Sequence, residues 1–170
     1  MTRPFLGYGR QAIDDADIDA VVKVLRSDFL TQGPSVEKFE DALAERVGAR
    51  YAVAVSNGTA ALHLACLAAG IGPGDRALVP TMTFVATANA PIYCGAQAEL
   101  TDIDQESLGM SAEIEKAHLD EAPDTKALLP VYFAGLASGE SNLRRVAGDR
   151  TIIVDACHAF GGTHEDGRPI

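Results

Sequence analysis

The sequence predicts an α/β fold, a mostly parallel sheet with helices on both faces, and three observations predict it. Short apolar runs bounded by turn residues alternate with helical patterns along the whole chain, which is the pattern of parallel strands joined by right-handed crossovers. The 170 residues are 47% hydrophobic and 22% charged, enough to bury the core of one globular domain. No internal repeat, low-complexity segment or clear linker interrupts the alternation.

The elements follow in order. Residues 14–27, "DDADIDAVVKVLRS", place Ile18, Val21, Val22 and Leu25 at helical spacing behind a first turn of acids. "FLTQGPS" then turns the chain, with Gly33-Pro34 as the break. Residues 35–47 predict a second helix with Val36, Phe39, Leu43 and Val47 on one face and Gly48 ending it. "YAVAVS" (51–56) predicts a short buried strand, and "NGTAALHLACLAAG" a helix closed by Gly70. "RALVP" is the next strand; "TFVATANAPIYCG" is helical, with Pro91 expected to end or kink it. "QAELTDID" predicts a strand running into an acidic loop, and "SAEIEKAHLDEA" a polar helix. "TKALLPVYFAG" predicts a strand, "SGESNLRRVAG" a short helix and "RTIIVDA" the last strand.

Charge and cysteine usage narrow the class. The formal net charge is −10 and the one basic pair, Arg144–Arg145, fits a solvated helix face, which argues against a nucleic-acid partner. Cys66, Cys94 and Cys157 are far apart with no CxxC, as free thiols in a reducing cytoplasm would be. The opening "MTRPFLGYGRQ" has no apolar core of a signal peptide, and no run of about 18 apolar residues suggests a membrane span.

Ligand sites in such sheets lie beyond the carboxyl ends of the strands, and three stretches fall there. In "VSNGTAAL" a strand ends and a helix starts at once. Free helix N-terminal amides, Gly58 and the Thr59 hydroxyl could hold a phosphate, or Ser56 or Asn57 could simply cap the helix. In "VPTMTFVATANA", Phe84 and Thr87 follow a strand, so an aromatic ring faces either the same mouth or the core. In "TIIVDACHAFGG", Asp155 could hold a cationic ring nitrogen and His158 a phenolate-type oxygen; alternatively Asp155 caps a turn and His158 is a satisfied buried histidine. His158, His164, Glu165 and Asp166 match no standard metal-ligand spacing, so no metal is expected. There is no GxSxG for a hydrolase.

Seven stretches in order, "FLTQGPSVEKFE", "VSNGTAALHLA", "GIGPGD", "VPTMTFVATANA", "TDID", "TKALLPVYFAG" and "VDACHAFGG", resemble the DegT/DnrJ/EryC1/StrS sugar aminotransferases, fold-type I pyridoxal-phosphate enzymes. The resemblance implies that Gly58, Thr59 and the Ala60 amide bind the cofactor phosphate and that Phe84 stacks on the pyridine ring. It implies that Asp155 pairs with the ring nitrogen and His158 contacts the 3-oxygen. "DACHAFGG" and "SDFLTQGP" are closest in look to the subgroup aminating UDP-linked 4-keto-6-deoxy-N-acetyl sugars, so Leu30, Thr31 and Gln32 would line the substrate side.

The resemblance also implies glutamate as amino donor, a cytoplasmic homodimer, and a Schiff-base lysine some two dozen residues after "DACHAFGG". That segment is not in this chain. Lys23, Lys38, Lys116 and Lys126 are no substitutes, and the "GxxxDM" pattern usual after "TKALLPVYFAG" is missing. Residues 1–170 are therefore expected to be the amino-terminal part of the cofactor-binding large domain, inactive and poorly stable alone. The alternatives are a sugar dehydratase of the same fold, with histidine in place of the lysine, and a non-catalytic cofactor-binding remnant. A generic nucleotide-binding domain ranks last, for want of GxGxxG.

Overall fold

The computed structural model of the chain describes residues 9, 11–137, 139–164 and 166–170. Four strands form one parallel sheet in the order β2-β1-β3-β4. They are β1 (Arg76–Pro80), β2 (Gln97–Thr101), β3 (Thr125–Leu128) and β4 (Thr151–Ile152). The helices are α1 (Asp15–Leu25), α2 (Pro34–Val47), α3 (Gly58–Ala68), α4 (Val85–Tyr93), α5 (Ala112–Glu121) and α6 (Glu140–Ala147). From β1 the chain moves outward to β2, then crosses back over β1 to β3 and β4. The direction of winding therefore reverses between β1 and β3, and the crevice at such a reversal is where open α/β sheets bind ligands.

The two central strands, β1 and β3, are buried on both faces, as crossover helices require. Ala77, Val79, Ala127, Leu129 and Ile153 pack on one side with Leu62 and Cys66 of α3 and Ala86 and Ala90 of α4. Leu78 and Leu128, from the alternate positions, pack on the other with Leu119 of α5 and Leu143 and Ala147 of α6. The period of two in the strands thus sorts side chains between two cores.

Local chemistry sets the helix starts. Asp14 and Asp17 form a reciprocal capping box at α1, Pro34 opens α2 after Gly33, and Asn57 and Ser111 cap α3 and α5 through their side chains. Gly48 ends α2 in the left-handed region at φ 66°, where glycine pays no Cβ penalty. Helix α4 runs two residues past Pro91 and stops at Tyr93.

The structure departs from the sequence reading in four places, the first being the last strand, expected over 150–156 but regular only over Thr151–Ile152. Residues 51–56 form no strand; Tyr51 and Val53 are 80% and 77% exposed, and the Ala54 amide donates to Glu40 Oε1. An apolar run becomes a strand only where a neighbour accepts its ladder bonds, and none of the described residues does so. The strand expected over 125–135 ends at Leu128. Beyond it the pairing continues as single bonds, Ile153 N to Leu128 O and Asp155 N to Pro130 O, because Pro130 has no amide to donate. Finally, neither α1 nor α2 has a buried residue: their apolar faces, including Ile18, Val21, Leu25 and Phe39, remain exposed.

Candidate functional site

The carboxyl ends of β1, β3 and β4 meet the N-terminus of α3 around a cavity of about 230 Å³. Gly58, Thr59, Phe84, Asp155 and His158 all line it, with Leu62, Ala86, Val131, Phe133 and Cys157. Five of the residues singled out in the sequence therefore come together, from the N-terminus of α3, the β1–α4 junction and the turn after β4.

Asp155 is fixed first by its backbone. Its N–H donates to Pro130 O (2.8 Å), and its carbonyl accepts from Tyr132 N (3.0 Å), so it extends β4 against the end of β3. The carboxylate is 6% exposed and takes a hydrogen bond on each oxygen: Thr87 Oγ1 donates to Oδ2 (2.6 Å) and Cys157 N to Oδ1 (3.2 Å). A buried carboxylate without such donors would be costly. Its nearness raises the Cys157 thiol to a pKa of about 11, chiefly through the thiol–carboxylate hydrogen bond and then through burial.

Phe84 precedes α4 and is 71% exposed, so it is not a core residue. His158 is also exposed, its ring 6.1 Å from that of Phe133, so it is no buried histidine. Gly58 must be small: a Cβ there would meet Cys157 Sγ at 2.6 Å.

The Ala60 amide donates to Asn57 Oδ1 (2.9 Å), so Asn57 caps α3 through the amide expected to meet the phosphate. The amides of Gly58 and Thr59, at the first turn, have no intrahelical acceptor. Leu30, Thr31 and Gln32 do not line the cavity; all three are exposed in the connection between α1 and α2, which the sheet core does not hold.

None of the four lysines lines the cavity. Lys126 lies at the opposite, amino end of β3, donating to Gly70 O and Asp75 Oδ2, and Lys116 pairs with Asp120 on the surface of α5. Glu165 lies outside the described residues. The sequence reading missed Cys157 as a lining residue and the Thr87–Asp155 bond; those partners are 68 positions apart, and no local pattern links them.

Fold and site together define an α/β ligand-binding domain with its pocket at the winding reversal of a parallel sheet. Residues 11–170 match the DegT/DnrJ/EryC1/StrS aminotransferase family, and the chain belongs to that family. Among solved structures, 3-amino-5-hydroxybenzoic acid (AHBA) synthase is 33% identical, with a TM-score of 0.86 over 92% of this chain and 41% of its own. DesV of S. venezuelae, solved in complex with a ketimine intermediate, is also 33% identical, with a TM-score of 0.86 over 91% of this chain and 42% of its own. Spr1654 of Streptococcus pneumoniae in its PLP-form is 28% identical, with a TM-score of 0.88 over 96% of this chain and 45% of its own. The chain thus spans less than half the length of each of these structures.

Proposed function

We propose that the cavity holds pyridoxal 5'-phosphate and that the complete protein is a sugar aminotransferase. The observation that carries this is the pairing of a buried carboxylate, Asp155, with an exposed aromatic ring, Phe84, on one cavity beside the N-terminus of α3. Those groups fit the cofactor's cationic ring nitrogen, planar face and phosphate respectively. The DesV and PLP-form relatives support the same reading.

In this reading the Gly58 and Thr59 amides and the Thr59 hydroxyl hold the phosphate at the positive end of the α3 dipole. Phe84 covers one face of the ring. Asp155 keeps a proton on the ring nitrogen, and His158 hydrogen-bonds the 3-oxygen. The bound cofactor supplies an electron sink for amino transfer. The moving proton requires a lysine, and since all four lysines here stand away from the cavity, we assign that role to a further segment of the complete, homodimeric protein. Residues 1–170 are then the amino-terminal part of the large domain and do not transaminate alone. The substrates are glutamate and a nucleotide-linked 4-keto-6-deoxy sugar, with the UDP-linked N-acetyl sugars favoured by "DACHAFGG".

The test uses the complete protein, incubated with pyridoxal phosphate, reduced with borohydride and weighed intact. One stable adduct on a lysine outside these residues, with amino transfer from glutamate to a UDP-linked 4-keto-6-deoxy-N-acetyl sugar, is the expected result. Reversible cofactor binding with no adduct would favour the dehydratase or the remnant instead. Transfer to dTDP- or GDP-linked sugars alone would overturn the UDP assignment.

A further inference from the structure

Asp155 is a short side chain that must present its carboxylate at a fixed tilt if it is to meet a planar ring. Its backbone is locked to β3, so only the side-chain torsions remain free. Beside the Cys157 thiol, two donors remove that freedom. The Cys157 amide, two residues on, makes the local bond that aspartates commonly form in turns. The Thr87 hydroxyl is different: it is fully buried, comes from α4, and reaches Oδ2 at 2.6 Å across 68 residues of sequence.

Thr87 is the third residue of α4, so no earlier turn of the helix offers its hydroxyl a carbonyl. Thr87 donates its single proton to Asp155 and accepts from the Thr83 hydroxyl, which is 2.6 Å from it and 3.2 Å from its other acceptor, the Phe84 carbonyl. The result is a directed chain, Thr83 to Thr87 to Asp155, running from the exit of β1 to the exit of β4. Among the described residues, no lysine, arginine or histidine forms an ion pair with Asp155. Neutral donors fix the carboxylate and leave its charge for a cation entering the cavity.

We propose that Thr87 is a positioning residue for the cofactor: it sets the plane of the Asp155 carboxylate, and Thr83 sets the direction of the Thr87 hydroxyl. The inference rests on the reading of Asp155 as partner of the ring nitrogen.

Pyridoxamine 5'-phosphate, which needs no lysine to bind, separates the two ideas. It is titrated into the complete protein and its Thr87→Val, Thr87→Ser, Thr83→Val and Asp155→Asn variants, recording affinity and the pH at which the bound spectrum changes. Thermal midpoints check that each variant is folded. Thr87→Val keeps the shape and deletes the donor, so affinity is expected to fall about tenfold, the scale of one hydrogen bond to a charged group. The spectral change should also move to lower pH. Thr87→Ser should stay within about twofold of the parent, because it restores the hydroxyl. Thr83→Val should weaken binding less than Thr87→Val does. If Thr87→Val matches the parent in both readouts while Asp155→Asn is weakened, the positioning role is wrong and the site assignment survives. If Asp155→Asn changes neither readout, the site assignment itself falls. Should Thr87→Val not fold, Thr83→Val decides: unchanged affinity and pH profile overturn the chain, and a loss of affinity with a lower-pH spectral change supports it.

Discussion

The sulfur of Cys157 occupies the space above Gly58, where a Cβ would lie only 2.6 Å from it. The two residues close the cavity between the N-terminus of α3 and the turn after β4, and each limits what the other can be. Gly58→Ala is therefore expected to push the exposed Cys157 side chain aside and to destabilise the fold by about 1 kcal/mol, the scale of an off-rotamer side chain. Replacing Cys157 by Ala removes the obstructing atom. In that background Gly58→Ala should become neutral or favourable, since alanine exceeds glycine in a helix by about 1 kcal/mol. Urea unfolding of the four proteins closes the cycle, and additive effects would show that the contact is relieved without strain.

Cys157 should also be a slow nucleophile for an exposed thiol. Its pKa of about 11 is set first by the hydrogen bond with Asp155, then by burial and by the carboxylate's charge. Thiolate is the reactive form, so at about pH 8 iodoacetamide should label this position roughly tenfold or more slowly than an unperturbed thiol. Asp155→Asn removes the charge and should accelerate labelling. Peptide mapping by mass spectrometry separates Cys157 from Cys66 and Cys94; equal rates in parent and variant would contradict the coupling.

Those two residues also mark how far the sequence could be read. The alternation of apolar runs and helical patterns gave the parallel sheet, and the carboxyl-end rule brought Gly58, Thr59, Phe84, Asp155 and His158 to one cavity because the winding reverses between β1 and β3. The strand expected at 51–56 failed because hydropathy shows an apolar run but not whether another strand is there to pair with it. A cap and an anion compete for the Ala60 amide, and the Asn57 side-chain position that weighs between them is not written in the sequence. The Thr87–Asp155 bond depends on two elements meeting in space, which no spacing along the chain encodes.

Lys126 offers a control that separates stability from the site. Its ammonium donates to Gly70 O (2.6 Å) and to Asp75 Oδ2 (2.9 Å), joining the turn after α3 to the amino end of β3. The same bond, followed by that from the Gly72 amide, lowers the Asp75 pKa. Lys126→Met should lower the urea midpoint at neutral pH and narrow its difference from the parent as acid protonates Asp75, because a depressed carboxylate loses its contribution as pH falls through its folded pKa. Pyridoxamine phosphate affinity should not change. A large loss of affinity would mean that this end of the sheet communicates with the cavity.

Glu115 carries the opposite sign. It is fully buried on α5, where Oε1 accepts from Thr101 Oγ1 (2.9 Å) and Oε2 has no partner among the described residues, and burial pushes its pKa up to about 7. An acid whose folded pKa exceeds its unfolded value binds a proton more tightly when folded. Its contribution is therefore fully present below the unfolded value of 4.5 and is lost as pH rises through about 7. The full span corresponds to roughly 3 kcal/mol at most. The lowered carboxylates, Asp75, Asp104 and Asp166, act below their ordinary value of 3.8, outside this window. Urea midpoints should consequently fall between about pH 5 and about pH 8 in the parent. Glu115→Gln, which mimics the protonated form, should flatten that slope and be the more stable protein at the alkaline end. If parent and variant have parallel pH profiles across the window, Glu115 titrates normally and its burial is relieved in solution.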